Sequence, residues 1–254
     1  MTYDRLVLSD IHLYTSNEVV HTNNWRIEEF LDYLYENGDK FKSLILLGDI
    51  FETWYVDSEE EIRKNPSLIE TFFKKLDRII LEEKIYVIGN HDTKSSIMRL
   101  PQKVKEILEK NNFQIHTRFE EDEIVFVHGH QGTISSLGWF FQMTGVKIWY
   151  WICKVLRSPS LYKWGFGFVE RNASYRSSDE KKKLSYYRDL IKRVKPEGKI
   201  IVFGHTHVPT IDKDLRIVNT GDWMENMTFV VQHEGFLTLH GYDSYPFHID
   251  QISL

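Results

Sequence analysis

The sequence predicts an α/β or α+β fold built as a two-sheet sandwich, and three observations predict it. Apolar runs at 44–47, 85–88 and 199–203 read as strands buried on both faces. Segments of helical periodicity between the early strands argue for βαβ crossovers. The runs end in Gly, then Asp, Asn or His, where open α/β sheets place their ligands, beyond the carboxyl ends of the strands.

The elements follow in order. Residues 5–8 form a short strand that leads into Ser9-Asp10-Ile11-His12. Residues i and i+2 of an extended chain point the same way, so Asp10 and His12 share a face and are a natural pair of metal ligands. Ile27, Phe30, Leu31 and Leu34 give 25–36 helical spacing. The strand at 44–47 ends in Gly48-Asp49, and a carboxylate where a buried strand opens to solvent is costly unless a cation or hydrogen bonds answer it. A second helix spans 66–81, with Pro66 suited to its first turn and Ile69, Phe72, Phe73 and Leu76 turned inward. The strand at 85–88 ends in Gly89-Asn90-His91-Asp92, and a shorter helix covers 101–110. Residues 113–117 and 124–127 read as strands, the second ending in His128-Gly129-His130.

The pattern then breaks. Residues 137–156 are apolar and aromatic, but Gln142, Lys147 and Lys154 argue against a bilayer span, and a helical lid is expected. Residues 157–195 are basic and aromatic, closing in a charged helix at 179–194. Between Gly129 and Pro196, 13 Lys and Arg stand against 4 Asp and Glu, although the whole chain carries a net charge of -5. The strand at 199–203 ends in Gly204-His205-Thr206-His207, and strands at 211–218, 229–231 and 236–240 are expected to complete the second sheet.

With 42% apolar and 27% charged residues the composition is that of a globular protein, with no repeat and no low-complexity tract. The lone Cys153 leaves no intrachain disulfide and suits a reducing compartment. The first strand begins almost at once, with no basic-then-apolar leader before it. The expected location is therefore cytoplasmic, with peripheral contact at the inner face of the membrane through the aromatic segment.

Five strand ends thus carry Asp-x-His, Gly-Asp, Gly-Asn-His-Asp, His-Gly-His and Gly-His-x-His. Each alone reads as a turn residue, a cap or a satisfied histidine. Together they make an oxygen and imidazole donor set without thiolate, which suits Mn, Fe or Zn rather than a zinc finger. This ordered set resembles the calcineurin-like metallophosphoesterase superfamily over nearly the whole chain. The resemblance implies a four-layer αββα sandwich of two mixed sheets, with a core at 1–132 and 197–254 and a helical cap insertion at 133–196. It implies two divalent metal ions, Mn first. Asp10, His12 and His207 would hold one, Asn90, His128 and His205 the other, and Asp49 would bridge them. A hydroxide between the ions would attack phosphorus in line. His91 would serve as acid or phosphate donor, with Asp92 either orienting it or capping the turn.

Within the superfamily the chain is most similar to the UDP-2,3-diacylglucosamine pyrophosphatase group. The similarity lies in Ser9-Asp10-Ile11-His12-Leu13, Gly48-Asp49-Ile50-Phe51-Glu52, Asn219-Thr220-Gly221-Asp222-Trp223 and the long insertion. It implies a lipid-linked pyrophosphate under an acyl-binding cap, with Asn172, Arg176 and Lys181 as substrate contacts. The chain departs from that group at His91 and His130, where the group carries Arg and Asp, and no role carries over to His130. Rival expectations are a phosphodiesterase or phosphatase on soluble nucleotides, a nuclease, and a non-catalytic scaffold. The nuclease is disfavoured because the aromatics form one dense apolar run, and the scaffold because every ligand is kept. The insertion surface also suits a homodimer contact. His21, His116, His233, His240 and His248 are expected to be surface or core residues.

Overall fold

The computed structural model describes residues 1–13, 24–53, 66–93, 99–132, 148, 180–245 and 248–254. The first part of the chain alternates strand and helix: β1 (Thr2–Leu8), α1 (Asn24–Glu36), β2 (Lys40–Leu46), α2 (Pro66–Ile79), β3 (Ile80–Val87), α3 (Gln102–Lys110) and β4 (Gln114–His116). It continues with β5 (Phe119–Glu121), β6 (Ile124–Phe126), α4 (Glu180–Val194), β7 (Ile200–Phe203), β8 (Thr210–Asp212) and β9 (Ile217–Asn219). The last three strands are β10 (Thr228–His233), β11 (Phe236–Gly241) and β12 (His248–Ser253).

These strands make two mixed sheets, ordered β12-β11-β10-β1-β2-β3-β4 and β5-β6-β7-β9-β8. β1 to β4 run parallel, as crossover connections require. The strand period of two sorts the side chains into layers. Leu6, Leu8, Leu44, Leu46 and Tyr86 pack with Ile27, Phe30, Phe72 and Leu76 of α1 and α2. The alternate residues Val7, Ile45, Ile85 and Val87 meet Ile124, Phe126, Ile200 and Val202 between the sheets. Val125, Val127, Ile201 and Phe203 face Tyr186, Tyr187, Leu190 and Val194 of α4. The order is therefore helices, sheet, sheet, helix. Each such fully buried aliphatic side chain contributes roughly 1.5–3 kcal/mol relative to exposure.

Three expectations change. β10 and β11 do not complete the second sheet: β10 lies antiparallel beside β1, pairing Val7 with Val230, and extends the first sheet. The strand expected at 211–218 is a hairpin, β8 and β9, turned where Asp212 Oδ1 accepts the Leu215 N–H at 3.0 Å. β5 and β12 were not expected, because β5 is only three residues long and both are poor in apolar alternation. α4, which falls within the expected insertion, supplies the outer helical layer of the second sheet. Residues 133–147 and 149–179, the expected lid, lie outside the described residues. No helix of the described residues is long and apolar enough to cross a membrane.

Candidate metal centre

The parallel strands β1 and β2 end side by side, and their loops stay paired beyond the sheet. Asp10 N–H donates to Gly48 O at 3.0 Å, His12 N–H to Asp49 O at 3.0 Å and Leu13 N–H to Ile50 O at 2.7 Å. Staying in register while turning out of the sheet puts Asp10, His12 and Asp49 in the left-handed region, at φ 51°, 51° and 52°. His205 and His207, past β7, repeat this at 65° and 58°. Such backbone costs of order 1–3 kcal/mol per residue and clusters at functional sites. Gly48, at φ 82°, lies where a Cβ would come within 2.6 Å of the His128 ring, so only glycine lets the two sheet ends close.

Among the described residues the closure gathers three groups of donor atoms, each within 4.8 Å of one another: Asp10, His12 and His207; Asp49, His128 and His205; and His12, Glu52 and His91, which shares His12 with the first. His207 Nε2 lies 3.1 Å from Asp10 Oδ1, and His128 Nε2 lies 2.9 Å from Asp49 Oδ2. Asp10 also accepts the His205 N–H at 3.0 Å, and Asp49 Oδ1 accepts the His91 N–H at 2.7 Å. Asn90 is buried one residue before His91, at the tip beyond β3. Asp10, Asp49 and His128 are all almost wholly buried.

A surrounding set of bonds aims the rings. His128 Nδ1–H donates to Leu47 O at 2.9 Å, which aims Nε2 at Asp49. Glu52 Oε2 takes His12 Nδ1 at 3.1 Å and His91 Nδ1 at 2.8 Å, so one carboxylate orients a candidate ligand and the candidate acid together. Sequence reasoning missed Glu52 as a site residue; its signal was a carboxylate three residues after Asp49 in the same strand tip. Asp92 accepts the N–H groups of Asp49 at 2.9 Å, Phe51 at 2.9 Å and Gly89 at 2.7 Å, and so fastens the loop after β2 to the loop after β3. The stretch 219–223 braces the third side. Ser9 Oγ bonds Thr220 Oγ1 at 2.6 Å, Asn219 Nδ2 donates to Thr206 Oγ1, and Trp223 N–H donates to Asp10 O at 3.2 Å.

The charges are tightly coupled. Burial pushes Asp10 up, but His207 and His128 outweigh it and hold the carboxyl below its usual range. Burial likewise opposes ionisation of Asp49, and His128 and His91 hold it well below the carboxylate range. Against burial, Glu52 lifts His12 to about 9 and Asp49 lifts His128 to about 10. Burial, then His128, pushes His130 down to about 3, and His205 is also held well below its ordinary value by burial and His128. Burial and Asp49 raise Asp92 to about 6, and Glu52 is drawn to about 2 by His91 and His12 despite burial. Buried carboxylates answered only by imidazole and backbone N–H suit divalent cations: the ions would replace protons that the cluster otherwise holds.

His130 sits beside the second group, its ring 5.7 Å from His128 and 6.4 Å from His205. Lys181 is exposed on the first turn of α4, while Asn172, Arg176 and His21 lie outside the described residues. His116, His233, His240 and His248 sit on β4, β10, β11 and β12 rather than on the loops that carry the donor groups.

The sequence model described as calcineurin-like phosphoesterase matches residues 5–209. Among curated proteins none matches the chain. Among solved structures, a conserved uncharacterised protein of Streptococcus pneumoniae, described as a predicted phosphoesterase, aligns at 16% identity over 99% of this chain and 98% of that one, with a TM-score of 0.38. A dimetal phosphatase from Danio rerio aligns at 10% identity over 99% and 98% of the two chains, with a TM-score of 0.45.

Proposed function

The chain belongs to the calcineurin-like phosphoesterase family and is a metal-dependent phosphoesterase, and from that premise we propose how its residues divide the work. Asp10, His12 and His207 hold one divalent ion, Asn90, His128 and His205 hold the other, and Asp49 bridges the two positions. The observation that carries this reading is the pair of donor groups on adjoining strand ends, with the charge of Asp49 felt by His12 of one group and by His128 of the other. Two divalent ions there supply positive charge for phosphoryl oxygens and an acidified water as nucleophile. His91, its Nδ1 tied to Glu52, is the residue that would give a proton to the leaving oxygen. Asp92 acts through the loops it clamps.

The substrate reading is a lipid-linked pyrophosphate related to UDP-2,3-diacylglucosamine, with Mn as the working metal and Asn172, Arg176 and Lys181 at the phosphates. Its support is the three motif stretches and the aromatic, basic segment between the two halves of the core. A second reading, a soluble nucleotide ester, is favoured by His91 in place of that group's Arg. The deciding experiment is Mn-dependent hydrolysis of UDP-2,3-diacylglucosamine beside bis-p-nitrophenyl phosphate. Far higher efficiency on the lipid supports the first reading, and turnover of the diester alone turns the assignment to the second. Absence of metal-dependent turnover on any phosphoester would overturn the ligand assignments.

A further inference from the structure

We propose that Tyr186 on α4 is a positioning residue for one of the two metal positions, that of Asp49, Asn90, His128 and His205. This inference rests on the dinuclear reading above. The phenol Oη donates to Gly129 O at 2.8 Å, and Gly129 is the residue directly after His128. That turn is left-handed at φ 118°, a conformation open to glycine, so its direction depends on what grips its peptide groups. The grip is local and complete. Gly129 N–H donates to Gln131 Oε1 at 3.0 Å, Gly132 N–H donates to Gly129 O at 2.9 Å, and Arg193 of α4 donates to Gln131 O at 2.9 Å.

The same ring reaches the other strand end. Its centroid lies 6.1 Å from that of Phe203, which stands two residues before His205. Gly132 packs close to the ring, where a Cβ would come within 2.6 Å of Tyr186 Cε2. One buried phenol therefore sets the spacing between the two loops that deliver His128 and His205. Beyond the His205 N–H that Asp10 accepts, the other donor group has anchors of its own. Asp10 and His12 are tied to the loop after β2, Glu52 holds His12, and Asn226 Nδ2 donates to His207 O at 2.8 Å. Loosening α4 should thus be felt unequally by the two positions.

Calorimetric titration of the metal-free full chain with Mn(II), with metal content measured after desalting, tests this. His128→Ala and His12→Ala identify the two binding classes by removing a ligand from each. Tyr186→Phe keeps the ring and loses the hydroxyl. It should weaken the class that His128→Ala abolishes by about tenfold, the low end for losing a supporting bond behind a ligand, and leave the other class within twofold. Gly132→Ala, whose Cβ would meet the Tyr186 ring, should reproduce the same selective loss and serves if Tyr186→Phe does not fold. Equal weakening of both classes, or of neither, overturns the inference while leaving the dinuclear reading intact. A wild-type chain that binds no divalent ion overturns both.

Discussion

The middle of β1 and the turn just past it bury opposite charges. Midway along the strand Arg5 is 7% exposed, yet every arm is answered from within the chain: Nε donates to Ser43 Oγ at 2.9 Å, one terminal nitrogen donates to Gln232 Oε1 at 3.1 Å, and the other pairs with Glu121. Just past its end Asp10 is fully buried, and its partners are the His207 imidazole and the His205 N–H. At the first place the fold supplies a permanent cation and its acceptors. At the second it supplies carboxylates answered by groups that can surrender a proton. A protein can bury charge either by completing the pair itself or by leaving the completion to an ion from solution, and this chain does each along one strand and its end.

That contrast can be broken most severely at Asp49. Asp49→Ala should lower metal-dependent kcat/KM by about a thousandfold or more, read with bis-p-nitrophenyl phosphate, since it removes the bridging charge. Activity within tenfold of wild type would sink the bridging assignment. His91→Ala should slow alkyl phosphoesters by about a hundredfold and nitrophenyl esters far less, because only a poor leaving group needs the proton. Glu52→Gln should cost about 10–100-fold in metal affinity, measured by titration, as it frees both His12 and His91 from their shared acceptor.

The pH dependence sharpens the comparison. His12 is raised from 6.5 to about 9 and His128 from 6.5 to about 10, so both carry protons at neutral pH in the metal-free fold. A binding ion must expel them. Affinity should therefore rise with pH up to about 9, by about tenfold per unit for each proton released, with proton release seen in buffers of different ionisation enthalpy. In the metal-free protein the same raised values stabilise the fold fully below 6.5 and lose that contribution as pH climbs through 9 and 10. The smallest effect on turnover belongs to Arg5→Met. It should cost about 1–3 kcal/mol of stability, by removing the donors to Ser43 Oγ and Gln232 Oε1, and leave kcat/KM within twofold. A large loss of activity there would mean that the middle of β1 and the turn beyond it are not independent.

How much of this was legible follows the range over which each feature is encoded. The βαβ half was readable because Leu44 to Leu47 and Ile85 to Ile88 announce buried strands locally, and each is followed by its polar tip. The ligand residues were readable for the same reason. Which sheet Thr228–His233 joins was not, since it depends on Val230 meeting Val7 some two hundred residues earlier. Glu52 stood in a quoted motif, but its role comes from reaching two rings, one on the loop after β1 and one on the loop after β3. Tyr186 reads in sequence as one more aromatic on a helix, and only the fold brings its hydroxyl to Gly129.

The left-handed backbone at Asp10, His12, Asp49, His205 and His207 has a consequence for anyone diversifying this protein. Asp, Asn and His are the non-glycine types that adopt this geometry most readily, and they are also oxygen and nitrogen donors. The positions therefore filter twice, once through coordination and once through chain conformation. A randomised library at these sites should collapse under selection to Asp, Asn, His and Gly, with Glu rare despite its identical charge. Retuning the centre toward another metal is then better attempted from Glu52, Asp92 and Tyr186, where the backbone leaves the alphabet open.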